Sequence, residues 1–288
     1  MGNGGMEMNL VKGSDLVDGG RSIRVFLEHA KANGGSYGKT TTINAAKVDI
    51  INAARFRWAG EYASNTIDLE DQRENEGEAA MVYLVMAKMR NIEKTIRDNM
   101  GAHVYASAAD DDSILGLGNM FSTVTATAYG EIAQDDMALW AANSSANAVA
   151  ISFKVMQNLF ALARVGQSAA AAPNLVVTTN TLKDGYTRVL QVQQRFSDAK
   201  LVEAGFANIL HEGAPVVGDD NQTSGVVDAL NLRHLKIMTH KNYNFTKPVW
   251  EKDRLTPDTL TANTRWSGQL VTDHRKAHAR YTGVTEPA

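Results

Sequence analysis

The longest regular hydrophobic pattern of the chain lies between Asn75 and Gly101. Asn75 and Glu78 have the spacing of a capping box, and a glycine is a typical helix end. We therefore predict a single helix over 75–101, roughly 40 Å long at 1.5 Å per residue. The stripe alone is also typical of a core helix in an ordinary α/β enzyme. Its apolar residues recur at steps of three and four, on one side of a helix: Met81, Val85, Met89, Ile92, Ile96 and Met100.

Before this helix the pattern changes to an alternation of apolar and polar residues. Residues 21–30 and 48–69 both favour extended structure, and the sequence 33–38 between them is rich in turn-forming residues. We predict a long two-stranded ribbon. Because two strands alone are marginally stable in water, the ribbon needs a surface to lie on. That surface belongs either to the rest of the same chain or to a neighbouring subunit, and the sequence allows both.

The second strand of the predicted ribbon presents different side chains on its two faces. Alternation places Arg55 and Arg57 on one face and Phe56 and Trp58 on the other. A cluster of carboxylates follows in the sequence, at Asp68, Glu70, Asp71 and Glu74.

The second half of the chain alternates predicted strands and helices. Residues 115–233 predict a compact mixed α/β unit. Within it we expect a helix from Ser144 or Ser145 to Gly166, a strand over 175–179 and a helix capped by Thr181.

The two ends of the chain have different patterns. Alternation predicts strands over 235–240 and 266–272, separated by a loop over 241–265 that contains two prolines. The first 20 residues are rich in glycine and lack periodicity, so we expect an arm without a core of its own. The whole pattern predicts an α+β (mixed α/β) fold class.

Composition excludes several classes of protein. A chain of 288 residues is long enough for one large or two smaller domains. Its net charge of -3 and pI near 6.2 lack the strong positive field of proteins that grip nucleic acid by its phosphates. The absence of cysteine excludes disulfides and thiolate metal sites. No apolar run approaches about 18 residues and no secretory signal is evident, so we expect a soluble cytosolic protein without a membrane span.

Residues that could support catalysis are sparse. Gly218, Asp219 and Asp220 lie between valine pairs and match the acidic turn with which polymerases hold metal ions. The same residues are typical of an ordinary turn between strands, which is the interpretation we favour. A metal-dependent nucleotidyl enzyme that uses Asp219 and Asp220 stays open as an alternative function.

Two further groups have spacings that could suit a metal ion. His274 and His278 are four residues apart, but the surrounding sequence alternates like a strand and no acid completes a zinc site. We expect a solvated basic segment there. The acidic run 110–112 lacks the alternating spacing of a calcium loop. We therefore predict no catalytic residues, no metal site and no cofactor.

The order of these elements resembles the major capsid proteins of tailed bacteriophages, which have the HK97 fold. Residues 68–88 resemble the end of that family's extended loop and the start of its spine helix. Several shorter segments are similar to its axial domain: Gly116-Leu117, Tyr129-Gly130, Trp140, Pro173 to Val177 and Tyr186. The most specific part of the resemblance lies in the last third of the chain: Gly205-Phe206, Gly213 to Val217, Asp219, Asp220, Leu230-Asn231, Leu235, His240 and Trp250.

The resemblance implies an HK97-like division of the chain. It assigns an N-terminal arm, an extended β-hairpin loop, a peripheral domain with the long spine helix, and an axial domain. Their limits would be 1–20 for the arm, 21–74 for the extended loop, 75–114 and 234–275 for the peripheral domain, and 115–233 and 276–288 for the axial domain.

The resemblance also implies a function and a set of partners. The chain would assemble with itself into hexamers and pentamers of an icosahedral phage head around double-stranded DNA, as a virion protein assembled in the host cytoplasm. Because only a short arm precedes the extended loop, we expect a separate scaffolding protein, besides a portal protein and a possible decoration protein. An encapsulin-like bacterial nanocompartment shell of the same fold is the nearest alternative.

Finally, the resemblance suggests where subunits touch, because it lays the extended loop across a neighbour. We expect intersubunit contacts from both faces of the ribbon and from the acids: Arg55, Phe56, Arg57, Trp58, Asp68, Glu70, Asp71 and Glu74. One relative cross-links its subunits through lysine and asparagine. Lys31, Lys39 and Lys47 lie in the extended loop, but no motif fixes a reactive pair, so we do not predict that chemistry.

Overall fold

The chain folds as a mixed α+β protein. The computed structural model describes residues 16–28, 32–39, 42, 46–75, 78–107, 110, 112–124, 128–137, 140–146, 148–164, 172–194, 209–252 and 258–287. Residues 1–15, which hold most of the predicted arm, lie outside the described residues, as do Lys31, Gly166 and Gly205-Phe206.

Helices and strands are distributed along the whole described chain. The strands are β1 (Leu16–Val17), β2 (Ile23–Glu28), β3 (Ile51–Phe56), β4 (Ala59–Ile67), β5 (Ser144–Ala146), β6 (Leu175–Thr178), β7 (Ile209–His211), β8 (Ala214–Gly218), β9 (Val227–Leu230), β10 (Leu235–His240), β11 (Glu251–Lys252), β12 (Leu260–Thr272) and β13 (Ala279–Thr282). The helices are α1 (Leu69–Glu74), α2 (Glu78–Tyr105), α3 (Leu117–Met120), α4 (Phe153–Ala163) and α5 (Asn180–Gln194), and a 3-10 turn covers Arg275–Ala277.

Helix α2 confirms the predicted long helix but has different ends. Asn75 does not begin it: Asn75 ends α1, where its backbone N–H donates to the Asp71 carbonyl at 3.2 Å. Gly101 does not end it, because the next turn adds Val104 and Tyr105 to the core. That burial outweighs the roughly 1 kcal/mol that a glycine costs inside a helix. The stripe is buried from its middle onward, at Ile92, Ile96 and Met100, and only partly covered before, at Met81, Val85 and Met89.

A five-stranded sheet supports this helix. Its strand order is β1-β10-β12-β11, and β4 adds to it by pairing antiparallel with β12 from Ala59↔Gly268 to Ile67↔Leu260. Alternate residues of β4 and β12 are buried on the side of α2, among them Ala63, Ala262 and Trp266. This sheet, the helix and the inner face of the ribbon share the larger hydrophobic core.

The ribbon is shorter than the sequence predicts. β2 and β3 pair antiparallel from Ile23↔Phe56 to Glu28↔Ile51. The expectation of one extended strand over 48–69 is wrong, because the chain leaves the ribbon after Phe56 and continues as β4 in the sheet with β12. The long ladder with β12 and the burial of alternate β4 side chains under α2 stabilise this second strand.

A six-stranded sheet organises the second core. Its order is β5-β13-β9-β6-β8-β7, and α4 and α5 pack on it through residues such as Met156, Phe160 and Tyr186. The predicted strand over 175–179 is confirmed as β6, and the predicted helix after it as α5. Thr181 does not cap this helix, because α5 begins at Asn180 and Thr179 Oγ1 accepts from the Leu182 N–H at 3.4 Å. The predicted helix over 144–166 is correct only in its later part. Its first residues form β5 beside β13, and Ser152 caps α4 by accepting from the Val155 N–H at 3.3 Å.

The end of the chain also corrects a prediction. Residues 274–280 are not a solvated basic segment, since Arg275, His278 and Arg280 are all buried. Arg280 donates to both carboxylate oxygens of buried Asp228, at 2.6 and 2.7 Å. The partners of these side chains come from distant parts of the chain, so the local alternation does not reveal them. The domain limits stated above stay predictions.

Candidate assembly surfaces

The outer face of the ribbon is exposed and positively charged. Arg24 and Arg55 turn to this face and lie opposite each other in the β2–β3 register. Arg21 and Arg57, also exposed, lie at the same end of the ribbon. Within the described chain, Arg55 forms an exposed ion pair with Glu131, whose Oε2 lies 3.9 Å from Arg55 Nη1. Such a pair is individually weak.

The same outer face carries apolar side chains. Phe26 lies two residues beyond Arg24 on β2 and is 74% exposed, and Ile51 at the start of β3 is exposed as well. Because alternate residues of a strand share a face, Arg24 and Phe26 point to the same side. The outer face therefore carries Arg24 and Arg55 at one end and Phe26, Ile51 and the exposed acid Glu28 toward the other.

The inner face of the ribbon lies on its own chain. Phe56 is completely buried and packs edge-on against Tyr129, with ring centroids 5.2 Å apart. The Arg55 N–H donates to the Gly130 carbonyl at 2.9 Å. Gly130 has a φ of +64°, and a side chain there would press on the Phe56 ring. Half-buried Trp58 donates from Nε1 to the Gly20 carbonyl at 2.8 Å. Phe56 thus supports the ribbon from its inner side. Trp58, at the base of the ribbon, is hydrogen-bonded to Gly20.

The predicted acids surround helix α1. Asp68 caps it, with Oδ1 accepting from the Asp71 N–H at 2.7 Å. Lys88 of α2 reaches Asp71 Oδ2 at 2.5 Å and lowers the pKa of Asp71, chiefly through this hydrogen bond. Glu70 and Glu74 are exposed, and neither forms an ion pair in the described part of the chain. Two free carboxylates therefore mark this end of the molecule.

The arginines and the acids are not brought together within one chain. Arg57 precedes β4 and Asp68 follows it, so the nine residues of β4 separate the two groups. At about 3.3 Å per residue, this strand holds them roughly 30 Å apart.

The first turns of α2 expose apolar side chains. Val82, Tyr83 and Met86 are all exposed, Tyr83 at 76%. They lie close in sequence to the acids of α1. The one contact that connects this half of α2 with the acids of α1, among the described residues, is that of Lys88 with Asp71.

The acidic turn after β8 is engaged in local hydrogen bonds. Tyr105 donates to Asp219 Oδ2 at 2.8 Å, and the Asn221 N–H donates to Asp219 Oδ1 at 2.9 Å. Asp220 accepts from the Asn180 side-chain amide. Among the described residues there is no group of three or more His, Asp or Glu side chains that could hold a metal ion. This arrangement is that of a turn between strands.

Comparison with known proteins identifies the fold. No protein family and no curated protein sequence matches this chain. Its structure is similar to the subunit in the cyanophage A-1(L) capsid, with a TM-score of 0.71 and 16% identity over 92% of this chain and 89% of that one. It is also similar to the capsid subunit of Myoviridae phage XM1, with a TM-score of 0.61 and 12% identity over 98% and 92%.

An encapsulin also shares this architecture. The SrpI encapsulin of Synechococcus elongatus PCC 7942 matches with a TM-score of 0.60 and 10% identity, over 93% of this chain and 84% of that one. The chain therefore has the HK97-like fold of phage capsid and encapsulin subunits, as its sequence predicts. None of the described helices is long and apolar enough to cross a bilayer.

Sequence reasoning missed several residues of these surfaces. Arg24 and Phe26 share a face with Arg55 only because of the β2–β3 register, which the sequence does not fix. The all-round apolar character of residues 79–87 is visible in the sequence and could have marked an exposed surface.

Proposed function

We propose that this chain is the major capsid protein of a tailed bacteriophage. Its copies would form the hexamers and pentamers of an icosahedral head that encloses double-stranded DNA. The observation that carries this proposal is the similarity of nearly the whole chain to the capsid subunits of the cyanophage and of phage XM1. A virion location follows from the same proposal, with assembly in the host cytoplasm.

The charged surfaces support self-assembly. The arginines around Arg55 and Arg57 and the acids around α1 lie at opposite ends of β4, so these two groups would pair with each other between two copies. A contact between two different patches is heterologous, and heterologous contacts form a ring when the rotation between neighbouring copies closes and an open filament when it does not. The proposed intersubunit residues are those predicted from the sequence, with Phe56 acting as buried support.

The mild negative charge suits a container for DNA. With a net charge of -3, the wall would confine packaged DNA without gripping its phosphates. We further propose that a separate scaffolding protein directs assembly, that a portal protein occupies one vertex, and that a decoration protein can be added. The role is structural and not enzymatic.

An encapsulin-like shell is the second candidate, because the SrpI encapsulin matches over most of its length. The two candidates differ in contents: a phage head holds DNA, whereas a nanocompartment holds protein cargo.

Electron microscopy of the purified full-length protein tests the proposal. We expect closed shells or ordered capsomers. Nuclease-resistant DNA in particles purified with the other proteins of a phage head would favour the capsid, and copurified cargo enzyme would favour the nanocompartment. A protein that stays monomeric and turns over nucleotides with a divalent metal would overturn both candidates in favour of an enzyme.

A further inference from the structure

The face of the five-stranded sheet that points away from α2 is uncovered in the described part of the chain. Alternation along β4 buries Glu61 and Ala63 on the side of α2 and leaves Gly60, Tyr62 and Ser64 exposed on the other side. A groove with a volume of about 590 Å³ lies on this outer face. Volumes of roughly 300 to 1,000 Å³ are typical of sites that hold small molecules. The groove therefore has the size of a ligand site.

The strand register places two tyrosines on opposite sides of this groove. Gly60 lies opposite Ser267, and Tyr62 lies opposite Arg265, in the β4–β12 ladder. On the other edge of β12, the Ser267 N–H donates to the Tyr243 carbonyl at 2.9 Å. Tyr62 and Tyr243 are 70% and 47% exposed, and both line the groove. Two strand spacings separate their backbones by roughly 10 Å, which leaves room for a ring of a ligand between the side chains.

Gly60 lies in the lining between these tyrosines, and nothing in the described chain requires a glycine there. Its φ is not in the left-handed region, and a Cβ built on it meets no atom within 4 Å. Gly268 of β12 differs, because a Cβ there would lie 2.4 Å from the Trp266 ring. A glycine inside a strand weakens it and often marks a place where a ligand or another backbone approaches closely. Gly60 therefore keeps the space between the tyrosines open.

The rest of the lining offers mainly uncharged hydrogen-bonding groups. Ser64 and Asn263 lie opposite each other in the ladder, and the Ser267 hydroxyl belongs to the lining as well. Hydroxyl and amide groups can both donate and accept hydrogen bonds. Arg265 is the one cation and Glu61 the one carboxylate that line the groove among the described residues, so their charges balance. The lining therefore suits an uncharged ligand that carries many hydroxyl groups.

We propose that this groove binds a neutral oligosaccharide. A sugar ring has an apolar face of C–H groups that packs on an aromatic side chain, and a rim of hydroxyls that donate and accept hydrogen bonds. Tyr62 and Tyr243 pack on the faces of one sugar ring. Ser64, Asn263 and Arg265 bind hydroxyls of this ring and of the next. The site is complete within one subunit, so this inference does not depend on the proposed function.

The lining disfavours other occupants. A nucleic acid needs several cations at its phosphates, and Arg265 alone lines the groove among the described residues. A peptide strand that extends a sheet pairs with a free edge, whereas this groove lies on a face. The core of an interface between subunits is depleted in charged residues, whereas Arg265 lies beside Tyr62.

Titration calorimetry of the purified full-length protein tests the proposal. The probes are neutral trisaccharides of glucose, galactose, mannose and N-acetylglucosamine, and we expect at least one to bind with a Kd of about 1 mM or tighter. Tyr62→Ala and Tyr243→Ala should each weaken this binding on the order of tenfold, because each removes one packing surface for the sugar. The matched control is Tyr83→Ala, at a tyrosine of α2 that is 76% exposed, and it should bind as the wild type does.

Filling the groove separates binding from folding. In Gly60→Leu the new side chain enters open space, so circular dichroism and urea unfolding should show a folded subunit of at least wild-type stability. Saccharide binding should be lost, because the leucine occupies the space between the tyrosines. The control is Thr66→Leu, which is exposed on the same face of β4 but outside the groove and should bind as the wild type does.

Each outcome decides for or against the groove. Failure of every trisaccharide to bind at about 10 mM would overturn the proposal, as would equal binding by the wild type and Gly60→Leu. If the wild type binds no saccharide and Gly60→Leu is folded but assembles poorly, the groove is occupied by a second copy of the chain. Wild-type protein that binds a saccharide but forms no shells or capsomers would overturn the proposed function alone.

Discussion

Arg275 holds its guanidinium carbon 5.0 Å from the centre of the Tyr129 ring, and both side chains are buried. The guanidinium also donates to the Met120 carbonyl at 2.6 Å and to the Trp140 carbonyl at 3.1 Å. Burial lowers the pKa of Arg275 to about 10, so the group is charged at neutral pH. Arg275, which follows β12, therefore holds Met120, Tyr129 and Trp140 in place, and Tyr129 packs on Phe56 at the base of the ribbon.

Removing this arginine should destabilise the subunit strongly. In Arg275→Met the buried carbonyls lose their donors, and we expect the free energy of unfolding to fall by about 3 kcal/mol or more. Arg275→Lys should keep only part of the lost free energy of unfolding, because one ammonium group cannot donate to all of these carbonyls at once. Urea unfolding of the subunit measures both. The control is Arg233→Met at an exposed arginine, which should change stability little. Equal stability of the two methionine variants would contradict the role of Arg275.

His278 should make the fold sensitive to mild acid. It is completely buried, Asn231 N–H donates to its Nδ1 at 3.1 Å, and its Nε2 lies 3.1 Å from Thr272 Oγ1. Burial, with His234 and His274 nearby, lowers the pKa of His278 to about 3. The unfolded chain therefore takes up this proton first as pH falls below about 6.5.

Stability should consequently decrease from neutral to acidic pH. Between pH 7 and pH 5, His278 alone should remove roughly 2 kcal/mol from the free energy of unfolding. Burial also lowers the pKa of His211 and of His274, which act in the same direction. His278→Gln should be less stable at pH 7 but should lose about 2 kcal/mol less than wild type on acidification. Equal losses in the two proteins, measured by urea unfolding at both pH values, would exclude His278 as the cause.

Aspartate should act differently at two positions of α2. Ile92 is buried in the core, so Ile92→Asp should abolish soluble folded subunit, because an unpaired charge there is unfavourable by several kcal/mol. Val85 is only partly covered in the single chain, so Val85→Asp should leave more folded subunit and impair assembly. Soluble yield and circular dichroism measure the first effect, and sedimentation the second. Glu93→Asp, at an exposed neighbour, is the control. Normal particles with aspartate at 92 would show that the stripe is not a core face.

Reversal of the two predicted ribbon arginines should affect assembly and not folding. Arg55→Glu with Arg57→Glu changes exposed groups, so circular dichroism should be unchanged. Each exposed ion pair contributes only about 0 to 1 kcal/mol, but a shell repeats the contact in every subunit. We expect assembly to fail or to become strongly salt-dependent in sedimentation at low and high salt. The charge-matched control is Arg233→Glu with Lys236→Glu. Unchanged shells at both salts would mean that Arg55 and Arg57 face solvent.

The acidic turn should be dispensable for chemistry. Asp219→Asn with Asp220→Asn keeps side chains that suit a turn and can still accept from Tyr105 and Asn180. Particle formation should be preserved, with a loss of stability below about 1 kcal/mol. Electron microscopy and urea unfolding measure the two properties. Metal-dependent nucleotide turnover by the wild type that disappears in this variant would support the enzyme alternative.

Periodicity determined much of the fold without any tertiary information. The stripe from Met81 to Met100 predicts α2, and alternation predicts β2 and β10, because the spacing of side chains along a helix or strand is a local property. The strand β6 was predicted as well, although its four residues do not alternate and are all buried. The ends of α2 were not predictable in this way. Burial of Val104 and Tyr105 carries the helix past Gly101, and that burial depends on the core around them.

Only the tertiary structure decided which residues became surface and which became core. Phe56 and Arg55 alternate as the sequence requires, but the packing of Phe56 on Tyr129 decides that the aromatic face lies inside. Likewise, β4 pairs with β12 and not with the ribbon, and the sequence around β4 does not reveal this because β12 lies near the other end of the chain. The basic sequence around Arg275 and His278 looked solvated because their partners at Met120, Trp140 and Asn231 are remote in sequence. A buried charge depends on distant hydrogen-bond partners, and local composition does not encode them.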